Sequence, residues 1–258
     1  MTSSWHELAQ NGGRLPEWPY PIRYEQEQEI ETDVLVVGGG IAGCWAALSA
    51  ARTKGVRVAL VEKAATLRSG AGGPGGDHWD YAMTCPHMKV EPFVQCQRII
   101  DGQSGYSNGI GHAIECQEGY DAFLEMEKMG AKMRDTKDEF VGAPGRYDET
   151  KLVVASRYGQ ENNSLRFWGT TVKPALKKEC ERLGVKIYDR IMGTSLLNEN
   201  GVHGARVAGA TGINTRTGEF MIFKAKAVIL ATAGIGSVWV FNTELAGITT
   251  FRSRNASG

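Results

Sequence analysis

Four apolar residues, Val34 to Val37, follow Asp33 without interruption and run straight into Gly38-Gly39-Gly40-Ile41-Ala42-Gly43. A short unbroken apolar run predicts a strand buried on both faces. The next stretch carries Ala46, Ala47, Ala50 and Ala51, small residues that let a helix over 41–54 lie close to a strand, and Gly55 ends it as a C-cap. A second strand runs Val56 to Val61 and closes on Glu62. Strand, helix and strand in that order predict a parallel α/β unit.

Further along, apolar positions at helical spacing predict helices over 91–102 and 108–129. The second carries Ala113, Cys116, Tyr120, Phe123 and Leu124 as a core stripe before Gly130. The polar, glycine-dotted stretch from Asp135 to Gln160 reads as connection. A helix at about 170–183 follows, with Pro174 tolerable only in its first turn and Gly184 as its stop. From Val185 the period becomes two: VKIYD, then 193–199, an Asn200-Gly201 turn, a strand through Val207, a turn near Thr217-Gly218, and Glu219 to Lys224. That is a small antiparallel meander. The apolar run Ala227 to Gly234 predicts a return to the parallel sheet, ending in small residues beside its crevice. Residues 1–31 mix Trp5, Trp18 and Tyr20 with Pro16, Pro19, Pro21 and the polar run YEQEQEIE, and show neither period. They predict an arm, wrapped on its own domain or against a partner, which leaves 32–258 as one domain.

The glycines at 38, 40 and 43 have the G-x-G-x-x-G spacing directly after a strand. Gly38 permits the tight turn, Gly40 lets a pyrophosphate approach bare backbone, and Gly43 lets the helix pack on the sheet. The helix start, including Ile41 and Ala42, supplies unpaired amides and the positive end of a dipole, so the loop needs no lysine. Glu62 stands 22 residues after Gly40, where a strand-end carboxylate accepts hydrogen bonds from a ribose. Past it, residues 70–76 hold five glycines in seven, which excludes a stable helix or strand interior. Such a loop stays flexible or brings amides against a flat ligand, and its place after the ribose acid favours the ligand.

Lys plus Arg (29) balance Asp plus Glu (29), so no net field gathers nucleic acid or an anionic membrane. The five cysteines are spread without C-x-x-C spacing, and no apolar run reaches the length of a membrane span. The expectation is a cytoplasmic chain with free thiols and no signal peptide. Cys85-Pro86-His87 has no second pair at ligand spacing, so no metal site is expected; Cys44 reads as a small packing residue. His78 and Trp79 follow the glycine loop and either face the ligand or serve as ordinary loop residues.

From about residue 31 to 258 the chain resembles the flavoprotein subunits of fumarate reductase, succinate dehydrogenase, L-aspartate oxidase and adenylylsulfate reductase. The resemblance rests on TDVLVVGGGIAG, the Glu62-Lys63 pair, LRSGAGG, LEMEKMGA and AKAVILATAG. The RSGA and WGTTVKP segments are more similar to adenylylsulfate reductase α subunits than to succinate dehydrogenases. The resemblance implies a Rossmann-like FAD-binding domain with an inserted antiparallel meander. It implies FAD held by Gly38, Gly40, Ile41, Ala42 and Gly43 at the pyrophosphate and by Glu62, Lys63 and Ala64 at the ribose. On the isoalloxazine side it points to Arg68, Ser69, Gly70, Ala71, Gly72 and Gly73. It implies backbone from Ile191 at the adenine, and Ala231, Thr232 and Gly234 in the place of an ATGG segment, with Ala233 replacing a glycine. Where succinate dehydrogenases attach flavin through a histidine this chain has Gly70-Ala71, which implies non-covalent FAD. Family members continue into a capping domain with a substrate-binding histidine and a proton-donating arginine. These 258 residues lack that segment or hold it incompletely, so the expectation is an N-terminal portion with no assignable catalytic residue. The activity implied is two-electron redox chemistry of a small substrate, with any iron–sulfur or other electron-transfer centre on a partner chain. An NAD(P)-linked oxidoreductase and a non-catalytic nucleotide-binding or assembly module are the alternatives.

Overall fold

The computed structural model describes residues 22–105 and 107–234. The aromatic and proline positions of the expected arm, up to Pro21, and the stretch after Gly234 lie outside the described residues. In chain order the strands are β1 (Arg23–Val37), β2 (Val58–Glu62), β3 (His78–Asp80), β4 (Arg146–Tyr147), β5 (Leu152–Arg157), β6 (Gln160–Arg166), β7 (Lys186–Asp189), β8 (Ile191–Asn198), β9 (Val207–Asn214) and β10 (Glu219–Leu230). The helices are α1 (Ile41–Ala51), α2 (Pro92–Gly102), α3 (Gly109–Lys128) and α4 (Val172–Arg182).

The main sheet has the order β7-β2-β1-β10-β9-β8. The first four strands are parallel; β10, β9 and β8 form the expected antiparallel meander. Successive side chains of a strand point to opposite faces, and β1 and β2 are apolar on both. Val36, Val58 and Leu60 pack under α1 and α4 with Ala47, Leu48 and Leu176. Leu35, Val37, Ala59 and Val61 meet Ile191, Ala210, Met221 and Phe223 from the meander. The meander folds back so tightly that a Cβ on Gly193 would lie 2.9 Å from Val37 Cγ1. The nucleotide-type crevice is therefore bounded by helices on one face and the meander on the other.

The structure corrects five expectations. Residues 23–31, expected to end the arm, are the first half of β1 and pair in register with β10 from Gln28↔Met221 to Val37↔Leu230. Their polarity hides them: Glu25, Glu27, Gln28 and Glu29 are exposed, Glu29 pairs with Lys224 (2.6 Å), and the strand is defined by its backbone pairing with β10. The two strands expected at 219–224 and 227–234 are one continuous β10 that stops at Leu230. Asn200-Gly201 lies within a longer connection over 199–206, and β9 begins rather than ends at Val207. The polar stretch expected as connection contributes β4 and β5 and leads into β6, and these three join β3 in a four-stranded antiparallel sheet. Helix α1 also ends three residues short of 54.

This second sheet frames the loop after β2. Trp79 on β3 packs edge-on against Phe123 and Phe167 and donates its indole N–H to Gly119 O at 2.9 Å. A buried ion pair anchors the approach to β4. Asp135, fully buried, accepts the amides of Glu139 and Phe140 at 2.9 Å and Arg146 Nε at 2.7 Å. Burial alone would raise the Asp135 pKa. The hydrogen bonds it accepts outweigh burial and hold the carboxyl below its ordinary range. Such a depressed carboxylate contributes stability above its unfolded pKa of about 4 and loses it as pH falls through the folded value. Arg146→Met is therefore expected to cost about 3 kcal/mol at pH 7 by urea unfolding. The deficit should shrink below about pH 4 as Asp135 protonates.

Candidate nucleotide site

At the carboxyl end of β1 the chain turns sharply at Gly38, whose φ of +107° belongs to glycine. A Cβ there would also lie 2.4 Å from Ala231 O, because β10 runs alongside and Ala231 donates its amide to Val37 O. Gly43, one turn into α1, sits directly on that corner: a Cβ would be 1.7 Å from Gly38 O. Both glycines are required by the fold itself. Gly40 is different. Its φ of −66° suits any residue, and a Cβ there would meet nothing nearer than Gly70 Cα at 3.9 Å. No internal packing demands glycine at 40, so the space above it is a cradle that a side chain would fill.

Charge complementarity points the same way. The N-cap of α1 is Gly40, with no side-chain cap and no acidic residue in the first turn. Among the described residues the amides of Gly40, Ile41 and Ala42 have no protein acceptor. Those amides and the helix dipole suit an anion, and a dinucleotide pyrophosphate fits the cradle without displacing a side chain.

The Gly39 peptide groups are fixed on both sides. The Gly39 amide donates to Glu62 Oε2 at 2.7 Å, while Glu62 Oε1 accepts the Ala64 amide at 2.8 Å. Each carboxylate oxygen keeps a second lone pair for a ribose hydroxyl. The Gly39 carbonyl accepts Ser69 Oγ at 3.0 Å and Lys173 Nζ. Thr66, buried behind Glu62, bonds through its amide and hydroxyl to Asp189 Oδ1 at the end of β7 (2.8 and 2.6 Å). These bonds hold the ends of β1, β2 and β7 at one level.

The glycine-rich loop lies on the same edge. A Cβ on Gly70 would lie 3.0 Å from Gly40 Cα, and one on Gly72 would overlap Ile41 Cδ1. Gly73 closes a turn through its amide to Gly70 O (2.9 Å), Ala71 is exposed at the tip, and Arg68 is tied by Nη1 to Thr170 O at 2.8 Å. A cleft of about 380 Å³ opens beside this loop, lined by Ile41, Gly72, Gly76, His78, Trp79 and Phe167 among others. His78 Nδ1 is 2.7 Å from Asp77 Oδ1, and that contact lowers the Asp77 pKa. Among the described residues no group of three or more His, Cys, Asp and Glu could hold a metal ion.

Most of the expected residues converge here: Gly38 to Gly43, Glu62 with half-buried Lys63 and Ala64, Arg68 to Gly73, and Ala231. The Arg190 amide donates to Ala64 O at 3.0 Å, which brings the adjacent Ile191 to the ribose edge with its side chain buried. Thr232 and Gly234 are exposed past the end of β10, and Ala233 between them takes φ +66°, a conformation that favours glycine. Thr66, Asp189 and Lys173 also reach this edge, although no motif in the sequence points to them. Lys173 is fully buried on the inner face of α4, in line with Leu176 and Cys180, and its Nζ lies 3.3 Å from Cys44 Sγ. A lysine within an apolar stripe at helical spacing is the signal that marks it. Cys180 Sγ reaches Cys44 O at 3.4 Å. The Cys44 pKa is lowered to about 7, first by a hydrogen bond from Cys180 and then, against burial, by the charge of Lys173; the Cys180 pKa moves up in response. All five cysteines are free and buried.

Comparison with known proteins places this geometry. The family model described as "FAD binding domain" matches residues 33–252. A subunit of the CoM/CoB fumarate reductase of Methanothermobacter marburgensis is 27% identical over 214 residues, 83% of this chain and 37% of that protein. The urocanate reductase of Eggerthella lenta is 30% identical over 213 residues, 80% of this chain and 32% of that protein. Among solved structures, adenylylsulfate reductase from Archaeoglobus fulgidus superposes with a TM-score of 0.69 at 28% identity, covering 89% of this chain and 35% of that one. The chain spans about a third of the length of each of these relatives.

The two kinds of glycine separate in experiment. Gly43→Ala is expected to destabilise the protein by about 3 kcal/mol or more, since rigid backbone must move. Gly40→Ala is expected to leave unfolding within about 1 kcal/mol of wild type while weakening dinucleotide binding at least about tenfold, read by denaturant melts and calorimetry.

Proposed function

The chain belongs to the FAD binding domain family, and on that premise we propose that it is the FAD-bearing portion of an oxidoreductase acting on a small oxidised or unsaturated substrate. The observation that carries this is the open cradle over Gly40 beside unpaired helix amides and the Glu62 carboxylate. Bound there, FAD supplies two-electron chemistry at its isoalloxazine and single-electron transfer onward. The chain's own residues bind and orient. Gly38, Gly40, Ile41, Ala42 and Gly43 take the pyrophosphate, Glu62 with Lys63 and Ala64 the ribose, and the backbone near Ile191 the adenine. Residues Arg68 to Gly73 border the ring, and Ala231 to Gly234 close the crevice from β10.

The loop after Glu62 distinguishes FAD from a nicotinamide nucleotide. It folds onto Gly40 beside a cleft of about 380 Å³, room that a flat tricyclic ring uses. The relatives named as reductases motivate the substrate class, and the fumarate reductase, named as one of several chains, motivates a partner that carries electrons onward, such as an iron–sulfur protein. Five free buried thiols support a reducing, cytoplasmic setting. No helix among the described residues is long and apolar enough to cross a membrane.

Non-covalent attachment is part of the proposal. Gly70 and Ala71 offer no nucleophile, and His78, the first histidine after them, is engaged with Asp77. Purified or reconstituted protein is expected to show flavin absorbance, and acid or detergent should release all of the flavin into solution. Tight NADH binding with no capacity for FAD would move the assignment to the NAD(P)-linked class. A fluorescent flavin band that stays with the polypeptide on a denaturing gel would overturn the non-covalent part alone.

A further inference from the structure

We propose that Lys173 is a positioning residue for the ligand's diphosphate, acting from beneath the glycine loop through the Gly39–Gly40 peptide. This rests on the FAD reading above and adds a group that the spacing of the loop does not contain.

Lys173 has no exposed surface, and among the described residues its ammonium reaches only the Gly39 carbonyl and Cys44 Sγ (3.3 Å). It joins no ion pair with a carboxylate among the described residues. Burying an ammonium costs several kcal/mol unless an opposite charge offsets it. The stripe it occupies, beside Leu176 and Cys180, would be filled at lower cost by an apolar residue. Its presence there calls for an anion.

The geometry identifies where that anion sits. A trans peptide is planar, with its C=O and N–H pointing opposite ways. Lys173 and Ser69 draw the Gly39 carbonyl inward, so the Gly40 N–H of the same peptide points outward, into the cradle where it has no acceptor among the described residues. A cation on the carbonyl also polarises the peptide and strengthens its N–H as a donor. The ammonium thus adds a fixed positive charge behind the α1 terminus, aimed at the position of the pyrophosphate. The remaining ionisable neighbours are the Cys44 and Cys180 thiols and Glu62. Glu62 is already committed to two amides. A Lys173–Cys44 thiolate pair with a purely structural role is the rival reading.

The two readings predict opposite signs. If Lys173 serves the diphosphate, Lys173→Met removes a buried charge that pairs with no carboxylate among the described residues, so the apo protein melts at the same temperature or higher. ADP and FAD then bind at least about tenfold more weakly, while adenosine, which lacks phosphate, binds within about twofold of wild type. Lys173→Arg, which keeps the charge, should recover part of the ADP affinity. The measurements are calorimetric titrations of the full chain with FAD, ADP and adenosine, together with apo melting curves. A lower apo melting temperature with equal losses for ADP and adenosine would assign Lys173 to structure alone and overturn the proposal. Wild-type ADP affinity in Lys173→Met would overturn it while leaving the FAD reading intact. Wild-type protein that binds neither FAD nor ADP would remove both.

Discussion

Everything at the crevice depends on the two peptide groups of Gly39. One is held by Glu62 through its N–H, the other by Ser69 and Lys173 through its C=O. The three partners come from the end of β2, the loop after it, and a helix 134 residues further along the chain. Fixing the loop therefore requires the sheet, the glycine-rich loop and α4 to be assembled together. Thr66 adds the tie to β7 through Asp189. The loop is thus held by hydrogen bonds to elements packed elsewhere, the arrangement that gives a binding surface its shape before a ligand arrives.

The three glycines of the motif answer to different constraints, as their spacing implies and the coordinates make explicit. Gly38 and Gly43 are demanded by contacts inside the protein, Gly38 to Ala231 and Gly43 to Gly38. Gly40 faces open space. The motif's spacing already gives the three separate jobs, turn, phosphate approach and helix packing, and the coordinates add the contacts that enforce them. The same holds for the loop over 70–76: its composition excludes regular structure, but only the packing of Gly70 on Gly40 shows that it folds toward the crevice.

What the sequence made legible follows the range of the interaction involved. The unit from β1 through α1 to β2, its motif and its carboxylate are set by neighbours within about thirty positions, and periodicity reports them; the helix end does not follow, since α1 is capped at Arg52 and not at Gly55. The outer half of β1 was missed because its strand character comes from pairing with β10, some 195 residues away, rather than from an apolar face. Strands β4 to β6 were missed for a related reason: Leu152, Val153 and Val154 are buried, but the flanking Asp135, Arg146 and Asn163 are buried too, and polar residues satisfied by long-range bonds read locally as loop. Lys173 is the sharpest case. Its burial is a property of the α1–α4 contact, and a lysine at helical spacing in an amphipathic segment ordinarily faces solvent.

Charge distribution bears on how the site would recognise its ligand. With 29 basic and 29 acidic residues, the chain as a whole offers no long-range attraction for a dinucleotide carrying two phosphate charges. The favourable potential comes instead from groups within a few ångströms of the loop: the α1 terminus, the Gly40 amide and the buried ammonium behind it. Contributions of that kind act well inside the screening length of about 8 Å at physiological salt, and burial shields them further. Recognition should then lie in the stability of the bound complex more than in the rate of encounter, because a local field orients a ligand already in the crevice without drawing one from solution. The same buried ammonium also makes the ligand-free protein the electrostatically strained partner. Binding relieves a cost that folding has already incurred, and the stabilising effect of the ligand on the fold should exceed what its contact area alone supplies.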